Sequence, residues 1–138
     1  SEAYGTASYN IDDQTWVISG SVTVTGLALT EVTGMHIHNA PMGVNGPIIF
    51  NILANTVNSS QSGNVSNWFF TAVLDDAPIL REQKLSEMVA ERAYINVHTA
   101  AFPGGEIRGQ IDCIVPEPGT VAALGFGLAS LLFLKRKR

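Results

Sequence analysis

Three histidines carry the densest chemistry in this sequence. His36 and His38 lie two residues apart in Met35-His36-Ile37-His38, and His98 closes Tyr94-Ile95-Asn96-Val97-His98. A neutral imidazole offers one nitrogen lone pair, so three together form a donor set suited to Cu or Zn. Residues two apart on a strand share a face. His36 and His38 therefore project together, with Met35 and Ile37 on the other side. By the same alternation His98 joins Tyr94 and Asn96, opposite Ile95 and Val97. If the two strands are neighbours, the three imidazoles converge on the outer surface of a sheet. A mononuclear site needs their nitrogens within about 3–4 Å of one another, because each ligand stands about 2.0–2.1 Å from the ion. The competing role is structural, with the rings hydrogen-bonded to loop carbonyls.

No other residues make a complete reactive set. Cys113 is the only cysteine, which excludes an intramolecular disulfide and a cysteine-based zinc site and leaves a small apolar residue at a strand end. Glu106 and Arg108, two apart, are expected to share a face and form a structural pair with each other or with His98. Asp12-Asp13 and Asp75-Asp76 have the composition of turns. No Ser/His/Asp or Cys/His order is recognisable, so the expectation is a protein that is not an enzyme.

The elements that must position the histidines read as β-structure. Ile18, Val22 and Val24 alternate with Val17, Ser19, Ser21, Thr23 and Thr25, and Trp16 extends the apolar set. Further strands are predicted at Tyr4–Ile11, Gly34–Asn39, Pro47–Leu53, Ser66–Leu74, Tyr94–Thr99 and Glu106–Ile114. A hairpin turn is predicted at Asp12-Asp13-Gln14, and a surface loop over residues 55–67. Leu80–Arg92 reads as a short crossover helix. Seven strands so spaced predict an all-β, antiparallel Greek-key β-sandwich of the Cu/Zn superoxide dismutase-like or immunoglobulin-like kind.

Charge divides the chain in two. The 138 residues hold 8 basic and 12 acidic side chains, a formal charge of −4, but half of the basic ones are the terminal Lys135, Arg136, Lys137 and Arg138. The first 134 residues carry four basic and twelve acidic residues, net −8, which disfavours nucleic acid. Between the proline-rich linker 115–120 and the basic cluster 135–138 lies the apolar segment 121–134. At 1.5 Å per residue, its 14 residues make a hydrophobic helix of about 21 Å, which nearly spans a bilayer if Gly119 and Thr120 are added. The cations behind it favour an orientation with the body outside.

Val-Pro-Glu-Pro at 115–118, the apolar segment and the basic end, in that order, resemble the PEP-CTERM sorting signal of exported bacterial proteins. The resemblance implies an exosortase-type membrane protease as partner and processing near Pro116, Glu117 and Pro118. It also implies transient contact with the inner membrane, with Lys135 to Arg138 as retention signal, and delivery to the surface or extracellular matrix of a Gram-negative bacterium. No basic-then-apolar leader opens the sequence at Ser1, so a removed signal peptide or a fragment is expected.

The body, residues 1–114, is similar to the CHRD (chordin) domain. Gly34-Met35-His36-Ile37-His38-Asn39-Ala40-Pro41, Gly46-Pro47-Ile48-Ile49-Phe50, Tyr94-Ile95-Asn96-Val97-His98-Thr99 and Phe102 to Ile111 carry the likeness. It implies an all-β extracellular domain with no activity generally established. Against that pattern a first strand is missing, which leaves one sheet edge without its partner. A more distant likeness to Cu/Zn superoxide dismutase rests on His36, His38 and His98 as copper-ligand positions. There is no bridging fourth histidine, zinc loop or disulfide, so a dinuclear site is not available and a mononuclear one is.

These readings lead to an exported, non-enzymatic binding or structural module, with an extracellular polysaccharide or surface component as its partner class. The second reading is a Cu- or Zn-binding module, redox-active or not. The third is a surface domain permanently anchored through residues 119–134.

Overall fold

A computed structural model describes residues 1–74, 77–114 and 127–136. The chain opens with a hairpin of β1 (Tyr4–Asp12) and β2 (Val17–Thr25), in register from Tyr4 opposite Thr25 to Ile11 opposite Ile18. In β1 the buried Gly5, Ala7, Tyr9 and Ile11 alternate with the exposed Thr6, Ser8 and Asn10, the pattern of a sheet with one wet face. The turn forms as its composition predicts: the Asp12 carboxylate accepts the amides of Gln14 and Thr15 at 2.8 and 3.1 Å. Those amides hold its pKa below the usual carboxylate value. Trp16 belongs to this turn and not to the strand, with φ at 58°.

The remaining strands are β3 (Val32–Asn39), β4 (Ile48–Asn51), β5 (Thr56–Ser62), β6 (Val65–Val73), β7 (Ala93–Thr99), β8 (Ile107–Gln110), β9 (Asp112–Ile114) and β10 (Gly127–Arg136). Helix α1 (Pro78–Val89) carries the chain from β6 to β7, with a proline in its first turn, where no amide partner is needed. The strand order is β4-β3-β7-β8-β10-β1-β2-β6-β5, with β9 beside β10, and every pairing is antiparallel.

The ladders form two antiparallel sheets over one core. One sheet contributes Tyr9, Ile11, Ile18, Val22, Trp68 and Phe70, the other Met35, Ile37, Phe50, Ile95, Val97 and Ile107, all in one buried cluster. The rings of Phe50 and Phe70 meet across the gap with centroids 5.9 Å apart. Met88 brings α1 into the same core, fully buried.

Several expectations are corrected. The surface loop predicted over residues 55–67 contains β5, which is exposed from Val57 to Ser62. A polar strand at a sheet edge needs no apolar alternation, because it pairs on one side and packs on neither face. The single strand predicted for Glu106–Ile114 is two, broken at Ile111, whose amide turns to the carbonyl of Ala93 at 2.9 Å. The largest correction concerns the C-terminal hydrophobic helix: residues 127–136 form strand β10, while residues 121–126 lie outside the described set. An extended chain here finds hydrogen-bonding edges on both sides, β1 on one and β8 with β9 on the other, so its backbone groups are satisfied without a helix. Among the described residues no helix is long and apolar enough to cross a membrane.

Candidate metal centre

The site is built where β3 and β7 pair. His36 stands opposite Asn96, His38 opposite Tyr94, and His98 opposite Gly34. His98 is thus the diagonal neighbour of His36, close enough for long side chains to meet. The other face of both strands is core: Met35, Ile37, Ile95 and Val97 are all fully buried, which pins the register, since a slip of one residue would drive the histidines inward. Gly34 supplies the room. A Cβ there would stand 3.0 Å from Cε1 of His36 and 3.3 Å from Cδ2 of His98.

The three rings converge as the alternation predicts. Centroids are 5.0 Å apart for His36 and His98, 5.7 Å for His36 and His38, and 6.0 Å for His38 and His98. One nitrogen from each lies within 4.8 Å of the other two. That limit is wider than the 3–4 Å expected for ligands around one ion, so closure requires shifts of under about an ångström per ring. Among the described residues the cluster contains no carboxylate.

Backbone carbonyls set the tautomers. Nδ1 of His38 lies 2.8 Å from the Gly46 carbonyl, and Nδ1 of His98 lies 2.9 Å from that of Pro103. A carbonyl only accepts, so both Nδ1 atoms carry hydrogen and, in the neutral rings, both Nε2 atoms carry the lone pair. Nε2 of His98 and Nδ1 of His36 are buried without a hydrogen-bond partner in the structure. This is the outer-shell arrangement that orients metal-binding histidines.

The supports are themselves held. The Gly46 amide donates to the Tyr94 hydroxyl at 3.1 Å, and the Tyr94 ring stacks on His38 at 4.9 Å and 9°. Arg108 lies 3.5 Å from the centre of the same ring and donates to the carbonyls of Pro41 and Val44 and to Oδ1 of Asn45. Asn96 donates to the Gly104 carbonyl at 3.2 Å, bracing the turn that presents Pro103. Sequence reasoning placed Tyr94 and Asn96 on the histidine face but missed their role, and missed Gly34, Gly46 and Pro103. Only the glycines and prolines flanking both histidine segments hinted at close backbone approach.

Glu106 and Arg108 do not form the expected pair. Glu106 precedes β8, so strand alternation does not apply to it. It is buried, accepts the Thr99 hydroxyl at 2.6 Å, and gives its amide to the Val97 carbonyl. Arg108 instead clamps the loop over His38. Of the other predicted residues, Lys135 and Arg136 lie in β10 in register with Arg108 and Ile107, and Cys113 lies in β9. Asp75, Asp76, Pro116, Glu117, Pro118, Lys137 and Arg138 fall outside the described residues.

Burial, and then the neighbouring His98 and His38, hold the pKa of His36 below its ordinary value. The ring is therefore neutral at pH 7, as a ligand must be. The unfolded state takes up this proton first, so the contribution to stability is complete above about pH 6.5 and is lost as pH falls towards the depressed native value. We expect the urea midpoint of the metal-free protein to drop between pH 7.5 and pH 5.5, and the drop to shrink in His36→Gln.

Gly46 admits no side chain, because a Cβ would overlap the Asn39 carbonyl oxygen. Gly46→Ala is expected to displace the carbonyl that orients His38 and to weaken metal binding about 10- to 100-fold. Isothermal titration against the parent chain measures it.

Comparison with known proteins identifies both parts of the chain. A family model for the CHRD domain matches residues 1–111, and one for the PEP-CTERM protein-sorting motif matches residues 115–138. No curated protein matches the chain. The sorting motif supports export, processing by an exosortase and placement at the cell surface or in association with a membrane. With the all-β body and its tail both accounted for, the chain belongs to the CHRD domain family and carries a PEP-CTERM sorting motif behind the domain.

Proposed function

We propose that this exported domain is a non-enzymatic surface module that binds one transition-metal ion, Cu or Zn, through His36, His38 and His98. The two sheets are read as the layers of a Greek-key sandwich resembling that of Cu/Zn superoxide dismutase, with the ion on the outer face of one layer. One observation carries the reading: one nitrogen from each of the three rings lies within 4.8 Å of the other two, and the Pro103 carbonyl holds the Nδ1 hydrogen of His98, which leaves its buried Nε2 as the lone-pair nitrogen. Three neutral nitrogen donors suit borderline metals over Ca²⁺ or Mg²⁺, which take oxygen ligands. Three protein ligands also leave a position for a small molecule, the feature that separates reactive from closed structural zinc sites.

The test is titration of the chelator-stripped full chain with Cu(II) and with Zn(II). The expected result is one equivalent bound with saturation, and for Cu(II) an electron paramagnetic resonance spectrum with coupling to imidazole nitrogen. Absence of saturable binding would sink the metal reading and leave an adhesive or structural module, with polysaccharide as its partner class. Intact mass of the mature protein distinguishes cleavage near Pro116–Pro118 from permanent anchoring through residues 119–134.

A further inference from the structure

The stretch matched by the sorting motif includes β10, and β10 is built into the domain. Gly127–Leu134 pair with Asp12–Gly5 over eight consecutive positions, residues 129–131 pair with β9, and Lys135 and Arg136 pair with β8. Among the described residues, this strand is the only ladder connection between β1 and the β8–β9 side. The same residues therefore have two claims on them, one from the sheet and one from the sorting machinery, which is a membrane protein.

Their composition fits the sheet imperfectly. β1 is apolar at one parity, Ala7, Tyr9 and Ile11, and polar at the other, Thr6, Ser8 and Asn10. A strand made only for this slot would alternate likewise. Instead residues 128–134 are apolar at both parities: Leu128, Leu132 and Leu134 at one, Ala129, Leu131 and Phe133 at the other. The second set is in register with the exposed Asn10, Ser8 and Thr6. At the end of the strand Lys135 is in register with Arg108, and like charges directly opposite one another disfavour pairing. A segment apolar at both parities but for Ser130, and followed by cations, suits a lipid surface with anionic headgroups better than it suits this slot.

We propose that the cleft between β1 and β8–β9 is a strand-binding site whose occupant is this chain's own residues 127–136, held there until a membrane takes them. The two states exclude each other. A segment entering hydrocarbon cannot leave backbone groups bonded to β1, because each must find its partner within the inserted segment. The domain thereby covers its own sorting segment in water, and membrane engagement opens both edges of the cleft. The inference is independent of the metal reading.

Hydrogen exchange on the full chain, with and without vesicles of mixed phosphatidylglycerol and phosphatidylcholine, tests it. Without lipid, alternate amides of β1 between Gly5 and Ile11 are expected to be protected. With vesicles, these amides are expected to exchange at least tenfold faster and the chain to sediment with lipid, while β3 and β7 stay protected. Unprotected β1 amides without lipid, no vesicle binding, or vesicle binding that leaves β1 protection unchanged would each overturn the proposal. A second measurement uses the register pair Ser8 and Leu131 in a Cys113→Ser background. The disulfide formed in the Ser8→Cys/Leu131→Cys variant should abolish vesicle binding and reduction should restore it, whereas binding indifferent to the disulfide counts against exchange.

Discussion

Replacing His36 and His38 together by alanine is expected to lower affinity for Cu(II) or Zn(II) by at least about a hundredfold, since loss of outer-shell partners alone costs about 10- to 100-fold. Two of the three donors disappear, and His98, partly exposed, is left as a single imidazole. The fold should survive, because both side chains lie on the face away from Met35 and Ile37. Thermal unfolding separates these effects. Metal at 100 times its dissociation constant should stabilise the parent by about 2.7 kcal/mol, and this increment should vanish in the double variant. Equal weak affinity in both proteins would show that the histidines serve only the loop carbonyls of Gly46 and Pro103.

Ile95→Ala is expected to cost about 2–5 kcal/mol of stability, the range for deleting a fully buried aliphatic side chain. Ile95 lies at the middle of β7, between Ile37 on β3 and Gly109 on β8, and is 0% exposed. It belongs to the face that packs against the opposite sheet, so its loss leaves a cavity without touching a candidate ligand. Urea unfolding should show the lowered midpoint, and metal stoichiometry in dilute buffer should be unchanged. Val57→Ala on the exposed edge strand β5 is the control and should stay within about 0.5 kcal/mol. Loss of metal binding in Ile95→Ala would mean that the site depends on the core more directly than the two-faced strand implies.

Both results rest on the alternation of β3 and β7, which was legible from residue types alone. A spacing of two along an extended chain assigns His36 and His38 to one face and Ile37 to the other wherever the strand lies. The likenesses in the body and the tail were legible too, because they rest on contiguous residues, and so was the division of charge at residue 134. The Asp12 turn belongs in the same class, since a carboxylate reaching amides two and three residues on is a local event.

Where the reading went astray, a hydrogen-bonding partner overrode what composition or spacing implied. Residues 55–67 look like a loop by composition, yet residues 56–62 form β5 because β6 offers an edge. Glu106 and Arg108 look like a pair by spacing, yet Glu106 finds Thr99 and Arg108 finds a loop more than 60 residues away. The apolar segment 121–134 looks like helix because apolar runs are helix-permissive, and a strand slot between β1 and β8 claims residues 127–136. In the site itself, alternation could say which way each histidine points but not that β3 and β7 adjoin, that His98 falls diagonal to His36, or that two carbonyls hold two Nδ1 hydrogens. Side-chain direction follows from the local backbone period, whereas strand adjacency and register follow from which apolar faces bury together. The donor types were therefore written in the chain, and their convergence was decided by the packing of one shared core.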